Sequence, residues 1–188
     1  MRCHLPFRRD FFRSGASIVS MKSFVRHTGI ILLVASLATA QAPRPPQSAA
    51  ETLKGNFADI NRKVLEMAED FPADQYGFRL KPEMRTFGEV IVHVASGVVY
   101  AAKAGMGEKV KWDELDAKNY RSKADIVALM KKSIEDSSSA IKQNPEGPTK
   151  NLEPFLSVME HSAEHYGLLV ACYRANGLVP PESRPKGK

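Results

Sequence analysis

Residues 153–181 read EPFLSVMEHSAEHYGLLVACYRANGLVPP. Phe155, Val158, Ser162, His165, Leu169 and Cys172 recur at spacings of three and four, so they share one face of a helix. Pro154 suits the opening of that helix, because a first helical position has no use for its missing N–H. Asn176-Gly177 closes it, with Gly177 as the left-handed cap and Leu178 free to pack back on Tyr173. Pro180-Pro181 prevent continuation.

Three more helical patterns lie upstream. Ser122, with Asp125 as the third residue beyond it, starts a helix whose stripe is Ile126, Leu129, Met130, Ile134 and Ile141. It stops before Asn144-Pro145-Glu146-Gly147-Pro148. Thr86 and Glu89 have the form of a capping box, opening a helix that runs to about Ala104 with Phe87, Val90, Ile91, Val94 and Val98 on its apolar face. The earliest pattern runs from about Ser48 to Asp70, with Leu53, Phe57, Ile60, Val64, Met67 and Phe71 in one stripe, and Pro72 ends it. Residues 71–85, FPADQYGFRLKPEMR, read as a loop, and residues 105–121 as a charged irregular segment holding the chain's single Trp, Trp112. No segment alternates as a strand does. The expected fold is all-α, a four-helix bundle over residues 48–183.

Residues 1–40 read as an N-terminal extension and secretory signal peptide. Lys22 and Arg26 follow Met21, then comes an apolar run from Ile30 to Leu37. That run is roughly 8–11 residues long, against about 20 needed to span a bilayer. Ala38-Thr39-Ala40 and Ala40-Gln41-Ala42 are both small-residue cleavage sites; cleavage after Ala40 avoids leaving Pro43 first. Translation from Met1 or from Met21 fits equally, since Arg8, Arg9 and Arg13 precede an already complete signal. Residues 41–47 (QAPRPPQ) form a Pro-rich linker and 184–188 a disordered tail. The expected product is exported, periplasmic or secreted, with no stable membrane anchor after cleavage.

Charge and cysteine are read after that removal. Residues 1–42 hold six of the 27 Lys and Arg and one of the 21 Asp and Glu, so 21 basic and 20 acidic residues remain, a net charge of +1. Nothing there favours a nucleic-acid partner, which needs a basic patch. Cys3 leaves with the signal and Cys172 stays alone, so no intrachain disulfide forms.

Three histidines remain downstream: His93, His161 and His165. His161 and His165 are four residues apart on one helix, one turn from each other on the same face. His93 lies mid-way along the Thr86 helix, on the side of Val90, Gly97 and Tyr100. In a bundle the two faces can converge, bringing ring nitrogens within about 3–4 Å for shared ligation at 2.0–2.1 Å. Hydrogen-bonded core histidines are the competing reading, and an HxxxH pair arises readily by chance. His161-Ser162-Ala163-Glu164-His165 also matches the inverted zinc-protease signature H-x-x-E-H. The absence of strands to frame a cleft argues against that, and makes Glu164 a solvated neighbour. Cys172 could supply sulfur but fits a core thiol better. Glu164 and Tyr100 are the only candidate bases near the histidines.

Two stretches, FRLKPEMRTFGEVIVHVASG at 78–97 and EHSAEHYGLLVACYRANGLVPPES at 160–183, resemble the DinB superfamily. The resemblance spans about residues 50–183. It implies a DinB-like four-helix bundle with one metal site made by three histidines, which fall on His93, His161 and His165. Arg174, Gly177, Pro180 and Pro181 then have structural roles. Members often dimerise, so the resemblance allows a homodimer without fixing the oligomeric state. Several are thiol-dependent transferases or isomerases, and many have no assigned reaction. Three neutral imidazoles leave an ion its full charge and an open position; zinc is the first expectation, with nickel, manganese or iron as alternatives. The reading is an exported metal-dependent enzyme, hydrolase or thiol-dependent transferase in type, acting on an unknown small molecule with no assigned catalytic residue. Export weakens the thiol-dependent option, because common thiol cosubstrates are mainly cytosolic. A non-catalytic metal- or ligand-binding bundle, or an interaction bundle with inert histidines, are the alternatives.

Overall fold

The computed structural model describes residues 47–185. The expected signal peptide and cleavage sites, nearly all of the expected linker and the last residues of the expected tail lie outside that range. Among the described residues there are five α-helices: α1 Ala49–Asp70, α2 Phe87–Ala104, α3 Lys123–Gln143, α4 Gly147–Lys150 and α5 Glu153–Ala175. No strand occurs among the described residues. α2 packs on α3 and α5, and α1 packs on the same two, so the four long helices form a bundle with α1 and α2 diagonal.

The helix starts follow local chemistry. Ser48, Thr86 and Ser122 each accept from the N–H three residues on, while Glu51, Glu89 and Asp125 reach back to the cap backbone N–H. Each capping box satisfies two amides that the helix itself cannot. At the other end of α1, Lys123 donates to the carbonyls of Glu69 and Phe71, placing a cation where the helix dipole is negative. Gly177 adopts φ +69°, and the Leu178 N–H returns to the Tyr173 carbonyl at 3.0 Å, closing α5 as expected.

The core is aromatic at one end. Phe71 stacks on Phe87 with ring centroids 3.8 Å apart, and Tyr76 and Tyr173 pack round the pair. Phe57 meets Phe155 edge-on at 5.2 Å elsewhere along α1 and α5. Each such fully buried side chain contributes about 1.5–3 kcal/mol of transfer free energy.

Several expectations need correction. The Asn144–Pro148 turn contains the start of a one-turn helix, α4, held by Asn151 donating to the Ala104 carbonyl. On α3 the fully buried positions are Ile126, Met130, Ser133 and Ser137, while Leu129, Ile134 and Ile141 are only partly buried. The two serines fit inside because each hydroxyl donates to a carbonyl of its own helix. α2 is buried on more than one face: Val92, Ala95 and Ser96 are covered as well. Arg184 donates to both Asp70 carboxylate oxygens and to the Val179 carbonyl.

Candidate metal centre

His93 stands on α2 and His161 and His165 stand one turn apart on α5. The packing of α2 on α5 brings the three rings together edge-to-face, with centroids 4.5, 4.6 and 4.8 Å apart. One ligand atom from each lies within 4.8 Å of the others. Nε2 of His93 and Nε2 of His161 are 2.8 Å apart, closer than the 3–4 Å expected. Two nitrogens on a tetrahedral ion stand roughly 3.3–3.4 Å apart, by the 2.0–2.1 Å bond length, so a small outward shift suffices.

The protonation pattern suits ligation. Burial pushes His161 down to about 4, with the neighbouring His165 and His93 adding to the effect. Burial, then His93, lowers His165 too. Both rings are therefore neutral at pH 7, the form that offers a lone pair. Nδ1 of His161 is buried without a hydrogen-bond partner.

His93 differs. Its Nδ1 lies 3.0 Å from Oε1 of Glu114, a residue that sequence reasoning missed. Nη2 of Arg85 donates to both oxygens of that carboxylate, at 3.0 and 3.3 Å. Partial burial raises the Glu114 pKa, but the neighbouring Arg85 guanidinium and the hydrogen bonds with His93 and Arg85 outweigh it, so the carboxyl sits below its ordinary range. Glu114 belongs to the irregular segment after α2. That segment is pinned where the Leu115 N–H donates to Ser96 Oγ at 3.0 Å.

Trp112, on the same segment, forms one wall of the site. Its ring meets His161 edge-on at 5.1 Å and lies 5.4 Å from Tyr100. It sits in a notch made by Gly97, where a Cβ would come within 2.6 Å of the indole. Beyond Trp112, a cavity of about 580 Å³ opens between Tyr100, Lys103, Lys111 and Asp113.

The two candidate bases are not in the cluster. Tyr100 packs on Trp112, Glu164 is exposed, and neither hydrogen-bonds to the three rings among the described residues. Cys172 is buried away from the histidine group, and desolvation raises its thiol pKa.

The sequence model of the DinB superfamily matches residues 56–169, a span that holds all three histidines. The chain belongs to the DinB superfamily. No curated protein matches the chain. The DinB match ends before the Asn176–Pro181 turn, so that part of the resemblance extends beyond it. DinB membership and the three-histidine group together fit a metal-binding helical protein. The donor set passes a chemical test as well: three imidazoles, two of them neutral by burial, suit a borderline-soft divalent ion.

Proposed function

We propose that His93, His161 and His165 hold one divalent ion, zinc in the first instance, in an exported DinB protein that acts on a small molecule. The observation that carries this reading is the convergence of three rings from two helices on one point, with Nε2 of His93 and of His161 face to face. Bound there, an ion supplies Lewis acidity that polarises a substrate oxygen or acidifies water or a thiol. The chain's own part is to keep imidazoles neutral, to exclude solvent on the Trp112 side and to orient the rings from rigid helices. Hydrolase or thiol-dependent transferase chemistry uses such a site, and the homodimer common in the family suits the same scaffold.

Elemental analysis of protein purified from its native compartment tests the reading. One equivalent of metal is expected in the wild type, and almost none in His161→Ala/His165→Ala. Protein without metal in that compartment would overturn the proposal. Turnover assays on activated esters, and on a thiol with an electrophile, then separate an enzyme from a binding bundle. N-terminal sequencing of the exported protein is expected to begin near Gln41.

A further inference from the structure

The carboxylate of Glu114 touches His93 at the ring nitrogen opposite the one that meets His161. Nδ1 of His93 is 3.0 Å from Glu114, while its Nε2 is 2.8 Å from Nε2 of His161. An ionised carboxylate is an acceptor only. The proton on His93 therefore sits on Nδ1, an assignment made from the hydrogen-bond network. The opposite tautomer would set two lone pairs against each other at 3.0 Å. With Nδ1 protonated, the neutral ring has its lone pair on Nε2, the nitrogen that faces the cluster.

We propose that Glu114, steadied by Arg85, is the positioning residue of this metal centre, fixing the tautomer and tilt of His93 so that Nε2 is the ligating atom. The proposal rests on the metal-site reading above. Glu114 is itself held in place: Leu115 beside it is tied to Ser96, Ser96 Oγ donates to the Val92 carbonyl at 2.9 Å, and Asp116 caps the following turn through the Lys118 N–H. The carboxylate is thus held relative to the α2 backbone within one turn of His93. Carboxylates placed so behind metal-bound histidines raise ligand basicity and hold ring orientation, and their loss costs about 10–100-fold in metal affinity. The same segment carries Trp112, the chain's single tryptophan, against His161, so indole emission reports on the site.

The test uses the protein as purified from its native compartment, stripped of metal, and Zn2+ as the probe, with affinity measured by chelator competition and by Trp112 emission. Glu114→Ala is expected to weaken zinc binding about 10–100-fold. Glu114→Gln, whose side-chain oxygen still accepts from Nδ1–H, is expected to recover part of that loss. Because Glu114 is 45% exposed, the metal-free variants should keep wild-type helical dichroism and melting temperature. NMR of the metal-free protein with labelled histidine gives a readout that a merely structural role would not move. His93 is expected as the Nδ1–H tautomer in the wild type and as a mixture in Glu114→Ala. Zinc affinity within twofold of wild type in Glu114→Ala, or an Nε2–H His93 in the wild type, would overturn the proposal. Wild-type protein that binds no zinc yet shows the Nδ1–H tautomer would sink the metal-site reading instead.

Discussion

The phenol of Tyr173 on α5 crosses to α1 and donates to the main-chain carbonyl of Met67 at 2.9 Å, with an Asp70 oxygen 3.1 Å away. Tyr173 is fully buried, and that carbonyl also accepts the Phe71 N–H that closes α1. One hydroxyl thus fastens the end of the first helix to the last.

Tyr173→Phe removes the hydroxyl and keeps the ring in place. Since Met67 retains its bond from Phe71, the expected loss is about 1–2 kcal/mol, within the range for a buried donor removed from its partner. Urea unfolding of the two proteins measures it. Equal midpoints would mean that the bond carries no net stability.

Gly97→Ala sets two effects against each other. Alanine inside a helix is favoured over glycine by about 1 kcal/mol. The added Cβ, however, meets the Trp112 ring at 2.6 Å, and Trp112 is 39% exposed on an irregular segment that can yield. The expected result is a stability change under about 1 kcal/mol together with red-shifted, more easily quenched indole emission. Unchanged emission would place Trp112 outside the Gly97 notch in solution.

Asp70 and Arg184 link the chain end to pH. The Arg184 hydrogen bond lowers the Asp70 pKa; burial opposes this, and the Tyr173 hydroxyl assists it. A depressed folded-state pKa gives stability that is present above the unfolded value, about 3.9, and lost as pH falls through the folded value. The stability difference between wild type and Arg184→Met should therefore be constant above about pH 5 and shrink below about pH 4. A difference that grows on acidification would contradict the pairing.

Cys172 is 2% exposed, with desolvation raising its thiol pKa, so it is a poor nucleophile. Iodoacetamide at neutral pH should label it slowly in the native protein and at once after denaturation. Fast native labelling with loss of metal would bring the thiol into the site.

The helices were legible because their signals are local. Ser48, Thr86 and Ser122 announce their helices through one cap and one acid each, and Gly177 marks the last end. The histidines were legible for a related reason: a four-residue spacing fixes a shared face before any tertiary contact exists. Glu114 and Arg85 carried no such mark. They come from two irregular segments, and only the tertiary path of the chain brings Glu114 to His93 and Arg85 to Glu114. Ser133 and Ser137 were passed over on α3 because hydropathy does not register a hydroxyl already satisfied by its own helix. The wide burial of α2 had a readable sign in Val92 and Ala95, apolar residues off the main stripe, since a helix apolar on all sides is a covered one.

Residues 105–121 supply Trp112 and Glu114 but give the core only peripheral packing through Met106, Leu115, Ala117 and Tyr120. A connection of that kind tolerates replacement and insertion far better than the helices it joins. The histidines cannot wander, because their neighbours on α2 and α5 fill the interior. Exchanging that strip would therefore change what His93, His161 and His165 face, and remove Glu114 from His93, while leaving the helices that carry the rings in place.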